Sequence, residues 1–291
     1  MRIQKVASIA RMQDGAIWDK YLFRFGADGQ CIVYDMDDLG TAESEAPELC
    51  RFWLDKYELI KPHSNAVTFG SSYYAPEDEF PLLYSNIYNN YARSADPMIG
   101  VCCVYRLQRT GNIFTSTLVQ LIQIGFINDG DLWFSSPEKN DRRPFGNFVV
   151  DRENKILYAF TMRDATNTTR YFSFRLPEKE EGIYDKVYGV KRVILTADDI
   201  LNHFDCEYHN FLQGAVMHSG KIYSVEGFTV GRQGPPSRPA LRIICPSEKR
   251  QELCVHFEDF GLTIEPEFID FRADTCYYSD GHGALYTIAF S

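Results

Sequence analysis

The chain has 291 residues, of which 45% are hydrophobic and 24% are charged. These proportions are typical of folded globular proteins, and they exclude wholesale disorder and a fibrous repeat. Acidic residues outnumber basic ones by 40 to 30, which gives a formal charge of -10. Because no basic cluster is free of acids, this charge argues against nucleic acid or an anionic membrane as the primary partner.

The N-terminus and the cysteines predict a compartment. Residues 1–8 lack the apolar stretch of about seven to fifteen residues that a secretory signal needs. We therefore expect a cytoplasmic protein, or one outside the cytoplasm if a signal segment has been removed. The longest apolar run, 98–105, is too short for a membrane-spanning helix. The eight cysteines form no CxxC pair, so we expect reduced, mostly buried thiols rather than disulfides or a zinc site.

Short runs rich in Val, Ile, Tyr, Phe and Thr recur from end to end between Gly, Asp, Asn and Pro turns, and they predict an all-β protein. In chain order, the clearest hairpins join residues 21–25 to 31–34, 148–150 to 156–160, 215–217 to 221–225, and 268–271 to 275–278. A closing strand at 284–290 is expected to pack with the N-terminal strands. Short connector helices are predicted at 44–57 and at 196–203, where Thr196 reads as an N-cap ahead of two acids.

Five strand beginnings share a pattern in which a polar residue precedes small or apolar ones. The polar residues are Asp14, Asn65, Asn147, Gln213 and Glu267. Successive members are 51, 82, 66 and 54 residues apart, which suits four-stranded units with loop insertions and exceeds the roughly 40 to 45 residues of a compact WD40 blade. The spacing predicts a single five-bladed β-propeller domain over residues 1–291, with a large sandwich or barrel as the alternative.

Three segments resemble a known group of proteins. They are 62–70 (PHSNAVTFG), 80–86 (FPLLYSN) and 143–151 (RPFGNFVVD), and they look like uncharacterised bacterial five-bladed β-propeller proteins, a group without an established activity. The resemblance implies the propeller fold and a bacterial source, but no site residues. Five-bladed propellers also include glycoside hydrolases and sugar-binding lectins, which is a likeness of fold alone.

In a propeller, the beginnings of the innermost strands gather at one end of the central channel. We therefore expect the five leading residues to form a polar ring there, with Arg143 and His209 as further members. The residues expected to bind ligand are His63, Asn65, Asn147, Gln213, Glu267 and Arg143. Since amides both donate and accept hydrogen bonds, the ring predicts recognition of a polar ligand such as a glycan, or of a protein partner. The alternative is that these residues only satisfy turn backbone groups around channel water.

A glycoside hydrolase-like enzyme is the second hypothesis. It requires two carboxylates roughly 5 to 9.5 Å apart, one of them with a raised pKa. The catalytic candidates are Asp14, Glu267 and Glu226, and the last of these lies in an apolar run where an arginine partner would instead make it structural. The sequence contains no nucleophile elbow, EF-hand, zinc-ligand pair, phosphate loop or dinucleotide fingerprint, so it predicts no metal or cofactor.

Overall fold

The protein is an all-β propeller with five blades, as the sequence predicted. A computed structural model describes residues 1–87, 98, 100–124, 147–163, 168–207, 212–231 and 238–290. Each blade contains four antiparallel strands, and its innermost strand comes first in chain order, except that the outermost strand of the last blade is the N-terminal strand of the chain. Each of the five innermost strands begins within two residues of one of the five aligned polar residues. The alignment of strand beginnings therefore identified the correct strands.

The first two blades contain strands β2 to β9. Blade 1 consists of β2 (Gly15–Trp18), β3 (Tyr21–Phe25), β4 (Gln30–Asp35) and β5 (Glu48–Trp53). Blade 2 consists of β6 (Val67–Phe69), β7 (Leu83–Asn86), β8 (Val101–Thr110) and β9 (Ile113–Ile124). The single α-helix of the described residues, α1 (Tyr57–Ile60), connects the two blades.

The remaining blades follow in chain order. Blade 3 consists of β10 (Asn147–Asp151), β11 (Ile156–Arg163), β12 (Thr168–Arg175) and β15 (Ile200–Glu207). Blade 4 consists of β16 (Leu212–His218), β17 (Lys221–Glu226), β18 (Ala240–Cys245) and β19 (Arg250–His256). Blade 5 consists of β20 (Pro266–Arg272), β21 (Thr275–Asp280), β22 (Ala284–Ala289) and the N-terminal strand β1 (Arg2–Ser8).

A hairpin inserted between two strands of blade 3 extends the sheet of blade 2. Between β12 and β15 the chain forms β13 (Ile183–Asp185) and β14 (Val190–Leu195). Strand β14 pairs in parallel with β9, so blade 2 becomes a six-stranded sheet. This excursion is one of the insertions that stretch the repeat beyond a compact blade.

Five hydrophobic clusters, one between each pair of neighbouring blades, hold the ring together. In the cluster between blades 1 and 2, Phe23 contacts Phe69, Phe80 and Phe114 with ring centroids 5.5 to 5.6 Å apart. The cluster between blades 5 and 1 joins Phe268 and Leu285 to Ile17 and Leu22. Because every blade is apolar on both faces, no blade is expected to be stable without its neighbours.

The ring closes by pairing the two ends of the chain. Strand β1 is antiparallel to β22 and pairs with it from Arg2 opposite Ala289 to Ser8 opposite Ala284, with a shift of register between Lys5 and Ala7. This confirms the prediction that the closing strand packs with the N-terminal strands. The pairing gives β22 a partner on both sides, so that only β1 is left as the outer edge of blade 5.

The prediction of a helix at 44–57 was wrong. Its central part is the outermost strand β5, which pairs with β4, and only Tyr57–Ile60 is helical. The prediction at 196–203 was also mostly wrong, because a single 3-10 turn, Ala197–Asp199, leads directly into β15. Asp199 does accept hydrogen bonds from the Thr196 backbone and hydroxyl, as an N-terminal turn requires. In both places strand pairing within a blade outweighs the local helical pattern.

All eight cysteines are free thiols, and six of them are buried, which confirms the expectation that most cysteines pack in the core. Burial raises the pKa of Cys103 to about 12 and that of Cys206 to about 11. No helix in the described part of the chain is long and apolar enough to cross a membrane.

Candidate functional site

Contacts between the innermost strands show that the five strands begin at one end of the channel and finish at the other. Near the beginnings, Asp14 Oδ2 accepts a hydrogen bond of 2.8 Å from the Val67 backbone N–H. Near the far end, Asp270 Oδ2 accepts one of 2.6 Å from the Ile17 N–H. We call the end at Asp14 and Val67 the closed end, because its polar side chains are buried. We call the end at Ile17 and Asp270 the open end, because hollows border it.

The leading polar residues meet at the closed end and are almost completely buried. Their exposed fractions are 0% for Asp14, 2% for Asn65, 0% for Asn147, and 7% for both Gln213 and Glu267. Asn65 Oδ1 accepts a hydrogen bond of 2.7 Å from Asn86, and Asn147 Nδ2 donates to the Gln213 carbonyl. The second bond joins blade 3 to blade 4. Each of these amides therefore has a hydrogen bond within the protein, although the buried Asn147 Oδ1 accepts none from a described residue.

Two of the leading residues stand in β-bulges. The register of β16 with β17 shifts between Leu212 and Ala215, and that of β20 with β21 shifts between Pro266 and Phe268. A bulge adds one residue to its strand and redirects its side chain. The side chain of Gln213 is thereby placed to donate a hydrogen bond of 2.7 Å to Glu265 Oε1.

A glycine allows two non-adjacent blades to approach each other closely at the closed end. A Cβ atom at Gly214 would lie 2.6 Å from Asp14 Oδ1 and 2.7 Å from the Glu267 carbonyl oxygen. Gly214 belongs to blade 4 and Asp14 precedes blade 1, with blade 5 between them. Only a residue without a side chain leaves room for this approach. The backbone at Gly214 therefore packs directly against Asp14 and the Glu267 carbonyl at this end.

The buried arginine Arg24 lies beside the closed end. Its guanidinium group donates to the carbonyl of Gln13 at 2.9 Å and stacks 4.7 Å from the centre of the Phe268 ring. Burial lowers the pKa of Arg24 to about 10, although the charges of Asp14 and Glu267 oppose that shift. Burial raises the pKa of Asp14 well above its ordinary value, against the hydrogen bonds from Val67 and Gly15.

The other predicted site residues have different surroundings. His63 Nε2 lies 2.9 Å from Gln13 Oε1 and is half-buried near the closed end. Glu226 is fully buried and forms an ion pair with Arg242, which also donates to Gln251. Burial raises the pKa of Glu226, and the Arg242 charge opposes the rise. Arg143 and His209 lie outside the described residues.

Among the residues that the structure describes, three adjoining hollows border the open end, where the innermost strands turn into the second strands. The large hollow, about 580 Å³, extends between blades 4 and 5 and includes His218, Tyr223 and Phe271. The middle hollow, about 430 Å³, includes Trp18, Arg152 and Phe271. The small hollow, about 180 Å³, includes Arg152 and His218. Shared residues link the three into one continuous depression.

Arg152 is held at the centre of this depression. Its Nε donates a hydrogen bond of 2.9 Å to the Phe69 carbonyl at the end of β6, and its guanidinium group lies 5.4 Å from the centre of the Trp18 ring. Neither Nη atom donates a hydrogen bond to any described residue. Because Arg152 lines both the middle and the small hollow, these donors are oriented and open to a ligand.

His218 and Phe271 form the opposite wall. Their rings are parallel within 2° and their centroids are 3.8 Å apart. Burial lowers the pKa of the His218 imidazole, and the charge of Arg152 lowers it further. The charges of Asp274 and Glu153 oppose this shift. His218 is therefore largely neutral at pH 7 and presents one donor and one acceptor.

Asp270 lies beneath the open end, with only 3% of its surface exposed. Its oxygens accept the backbone N–H groups of Ile17 and Phe271 at 2.6 and 2.7 Å. Burial raises the pKa of Asp270 to about 6, and the nearby charge of Arg152 opposes the rise. This carboxylate ties blade 1 to blade 5 directly under the hollows.

The sequence also contains a signal for the open end, namely the residues at which the five aligned strands end. The alignment of strand beginnings did not consider them. Counting four residues on from Asp14 and Asn147 leads to Trp18 and to Asp151, the neighbour of Arg152. From Gln213 and Glu267 the count is five, to His218 and Arg272. The additional residue is the bulge in β16 and β20. The ends of the aligned strands therefore mark the open end once the bulges are known.

Comparison with known proteins supports the fold. No family model matches the chain, and no curated protein sequence matches it. Among solved structures, the chain is similar to the glutaminyl cyclase of Myxococcus xanthus, with a TM-score of 0.53, 8% identity, and coverage of 99% of this chain and 93% of that one. BamB from Moraxella catarrhalis is also similar, with a TM-score of 0.35, 10% identity, and coverage of 98% and 60%.

At these identities the glutaminyl cyclase shows the fold alone, and the BamB likeness carries no argument. The propeller fold that the three sequence segments implied is thus established. Their resemblance to bacterial proteins without an established activity stays a prediction.

Proposed function

We propose that this chain forms one domain that acts as a binding protein and recognises a polar ligand, best a glycan, at the open end of its channel. The observation that carries the proposal is the convergence of Arg152, Trp18, His218 and Phe271 on three linked hollows. Ligand sites in proteins are typically concave, partly aromatic and furnished with a few oriented polar groups.

The chemistry of the open end favours a polyhydroxylated ligand. Arg152 supplies donors, the exposed carboxylates of Asp19 and Asp274 supply acceptors, and neutral His218 supplies one of each. Hydroxyl groups both donate and accept, so a sugar satisfies this mixture more completely than an anion or a cation. Trp18 and Phe271 add apolar surface beside these polar groups, against which the C–H groups of a sugar can pack.

The closed end is the alternative location for the same ligand. His63, Asn65, Asn147, Gln213 and Glu267 offer the amide and carboxylate groups that a glycan needs, as the sequence suggested. All but His63 are at most 7% exposed, and Asn65, Asn147 and Gln213 form hydrogen bonds within the protein. A ligand would have to displace these bonds, and each broken bond costs about 1 to 3 kcal/mol. We therefore place the open end first.

A glycoside hydrolase-like enzyme is the second candidate function. It is favoured by the raised pKa of Asp14, which lies close to Glu267 around Gly214. It ranks lower because Asp14 and Glu267 are buried, Glu226 is paired with Arg242, and none of the three hollows is lined by these acids. Release of reducing sugar from a bound glycan, abolished in Asp14→Asn, would support this candidate.

A glycan array followed by titration calorimetry tests the proposal. We expect Arg152→Ala to weaken binding of an array hit about tenfold to a hundredfold, since hydrogen bonds to charged groups contribute about 1.5 to 3 kcal/mol. The control is Arg175→Ala, which removes the same charge from an exposed pair with Glu181 and should leave affinity unchanged. Weaker binding in Asn147→Ala with full binding in Arg152→Ala would instead locate the ligand at the closed end.

A further inference from the structure

The large hollow continues outward from the open end across the whole of blade 5. It is lined by Phe271 on β20, Thr275 at the start of β21, Thr287 on β22, and Gln4 on β1. These strands are consecutive neighbours in the sheet. Because neighbouring strands are about 4.8 Å apart, four of them span roughly 14 Å. The hollow is thus a groove longer than a single sugar ring.

A row of aromatic rings follows one side of this groove. It begins with His218 stacked on Phe271 at 3.8 Å between centroids. The Phe271 ring is 4.7 Å from that of Tyr223, which is 5.7 Å from that of Phe290. Phe290, at the outer end, is 40% exposed. A row of packed aromatic rings therefore extends from the channel to Phe290.

Uncharged polar groups border the same path. Gln4, Ser219, Thr275 and Thr287 line the groove together with two charged residues of opposite sign, Arg2 and Asp274. Hydroxyl and amide groups beside aromatic faces match a chain of sugar rings, which presents hydroxyls at its edges and C–H groups on its faces. A compact monosaccharide bound at Arg152 would leave most of this surface unused.

We infer that the ligand is a linear oligosaccharide of several units, which runs from Arg152 at the open end across blade 5 to Phe290 at the rim. This inference rests on the proposed function and adds the chain length and the path of the ligand. The units at Arg152, Trp18 and His218 are bound at the channel, and later units are bound by Tyr223, Phe290 and Gln4.

The test uses an array of mono- to hexasaccharides of hexoses, N-acetylhexosamines and hexuronates, with affinities measured by calorimetry for the series that binds. We expect affinity to rise at least tenfold from the monosaccharide to the tri- or tetrasaccharide and then to level off. Phe290→Ala and, independently, Gln4→Ala should reduce the gain with length at least threefold without changing the affinity of the monosaccharide. Arg152→Ala should weaken all members of the series.

The matched control is Phe260→Ala. Phe260 is 39% exposed, nearly the same as Phe290, and does not line the groove. It should leave the length dependence unchanged, and melting curves of all variants check that they are folded. Equal affinity for the monosaccharide and its oligomers would overturn the inference while leaving the proposed function intact. Absence of binding to every member of the array would overturn both.

Discussion

The two ends of the channel are formed by the same five strands, but they use their side chains in opposite ways. At the closed end, amide-bearing residues form hydrogen bonds from blade to blade, and Gly214 allows the backbone to approach Asp14 closely. At the open end, larger residues such as Trp18, Arg152 and Phe271 surround hollows. A ring of polar residues at strand beginnings is therefore compatible with a structural role, and the turns at strand ends carry the accessible chemistry.

The largest expected effect comes from breaking the ring that supports both ends. Deletion of residues 282–291 removes β22, leaves β1 without its partner, and uncovers the apolar face between blades 5 and 1. We expect loss of the cooperative unfolding transition in calorimetry and a collapsed near-UV circular dichroism signal. A truncated protein that melts like the full chain would contradict the closure of the ring and the single-domain proposal.

The buried ion pair near the closed end should be the most sensitive single contact. Glu226→Leu or Arg242→Leu alone leaves an uncompensated buried charge, and we expect a loss of about 3 to 5 kcal/mol in the free energy of unfolding. The double variant should regain much of this loss, because both charges are then absent. Denaturant titration of the four proteins measures the coupling, and additive losses would contradict a direct pair.

Asp270 under the open end gives a pH-dependent prediction. Its folded pKa of about 6 lies above the value of about 3.9 in an unfolded chain, so the folded state binds the proton more tightly. The stability from this group is present below pH 4 and is lost as the pH rises to 6, by about 3 kcal/mol.

Asp270→Asn should remove that part of the pH dependence, whatever its effect on stability at a single pH. Unfolding free energies of wild type and Asp270→Asn at pH 4, 5, 6 and 7 show how the difference in stability between the two proteins changes with pH. Parallel curves for the two proteins would show that Asp270 titrates normally and is not desolvated.

The smallest effects distinguish the two ends most sharply. Asn65→Ala and Asn147→Ala each remove a buried hydrogen-bond partner at the closed end. We expect each to lower the free energy of unfolding by about 1 to 3 kcal/mol and to leave ligand affinity unchanged. Denaturant titration and calorimetry with the same glycan check both parts. Unchanged stability with weakened binding would give these amides the ligand-binding role that the sequence suggested.

Much of the fold was predictable because each hairpin has its own local turn signals. The innermost strands at Gly15–Trp18 and Asn147–Asp151 followed from their polar leading residue and apolar continuation. The strand Glu48–Trp53 was not predictable as such, since its pairing with β4 overrides a helical pattern. The parallel pairing of Val190–Leu195 with β9 depends on contacts between residues about 70 positions apart, which no local pattern reports.

The site was less predictable than the fold. The sequence predicted that Asp14, Asn65 and Asn147 lie at one end of the channel, but spacing alone does not show the close approach of Gly214 to Asp14 there. In the sequence, Arg152 lies in a turn of mostly charged residues, 151–155, and no pattern marks it as a site residue. Its significance comes from the Phe69 carbonyl and the Trp18 ring, both on other blades.

A crystal structure with a bound glycan from the array tests the central claim most directly. The account predicts sugar density at the open end, with a hydroxyl within hydrogen-bond distance of an Arg152 Nη atom and a sugar ring over Trp18 or Phe271. Asn65, Asn147 and Gln213 should keep their bonds to the protein unchanged. Density at the closed end, with the Asn147 to Gln213 bond replaced by a bond to the ligand, would contradict it.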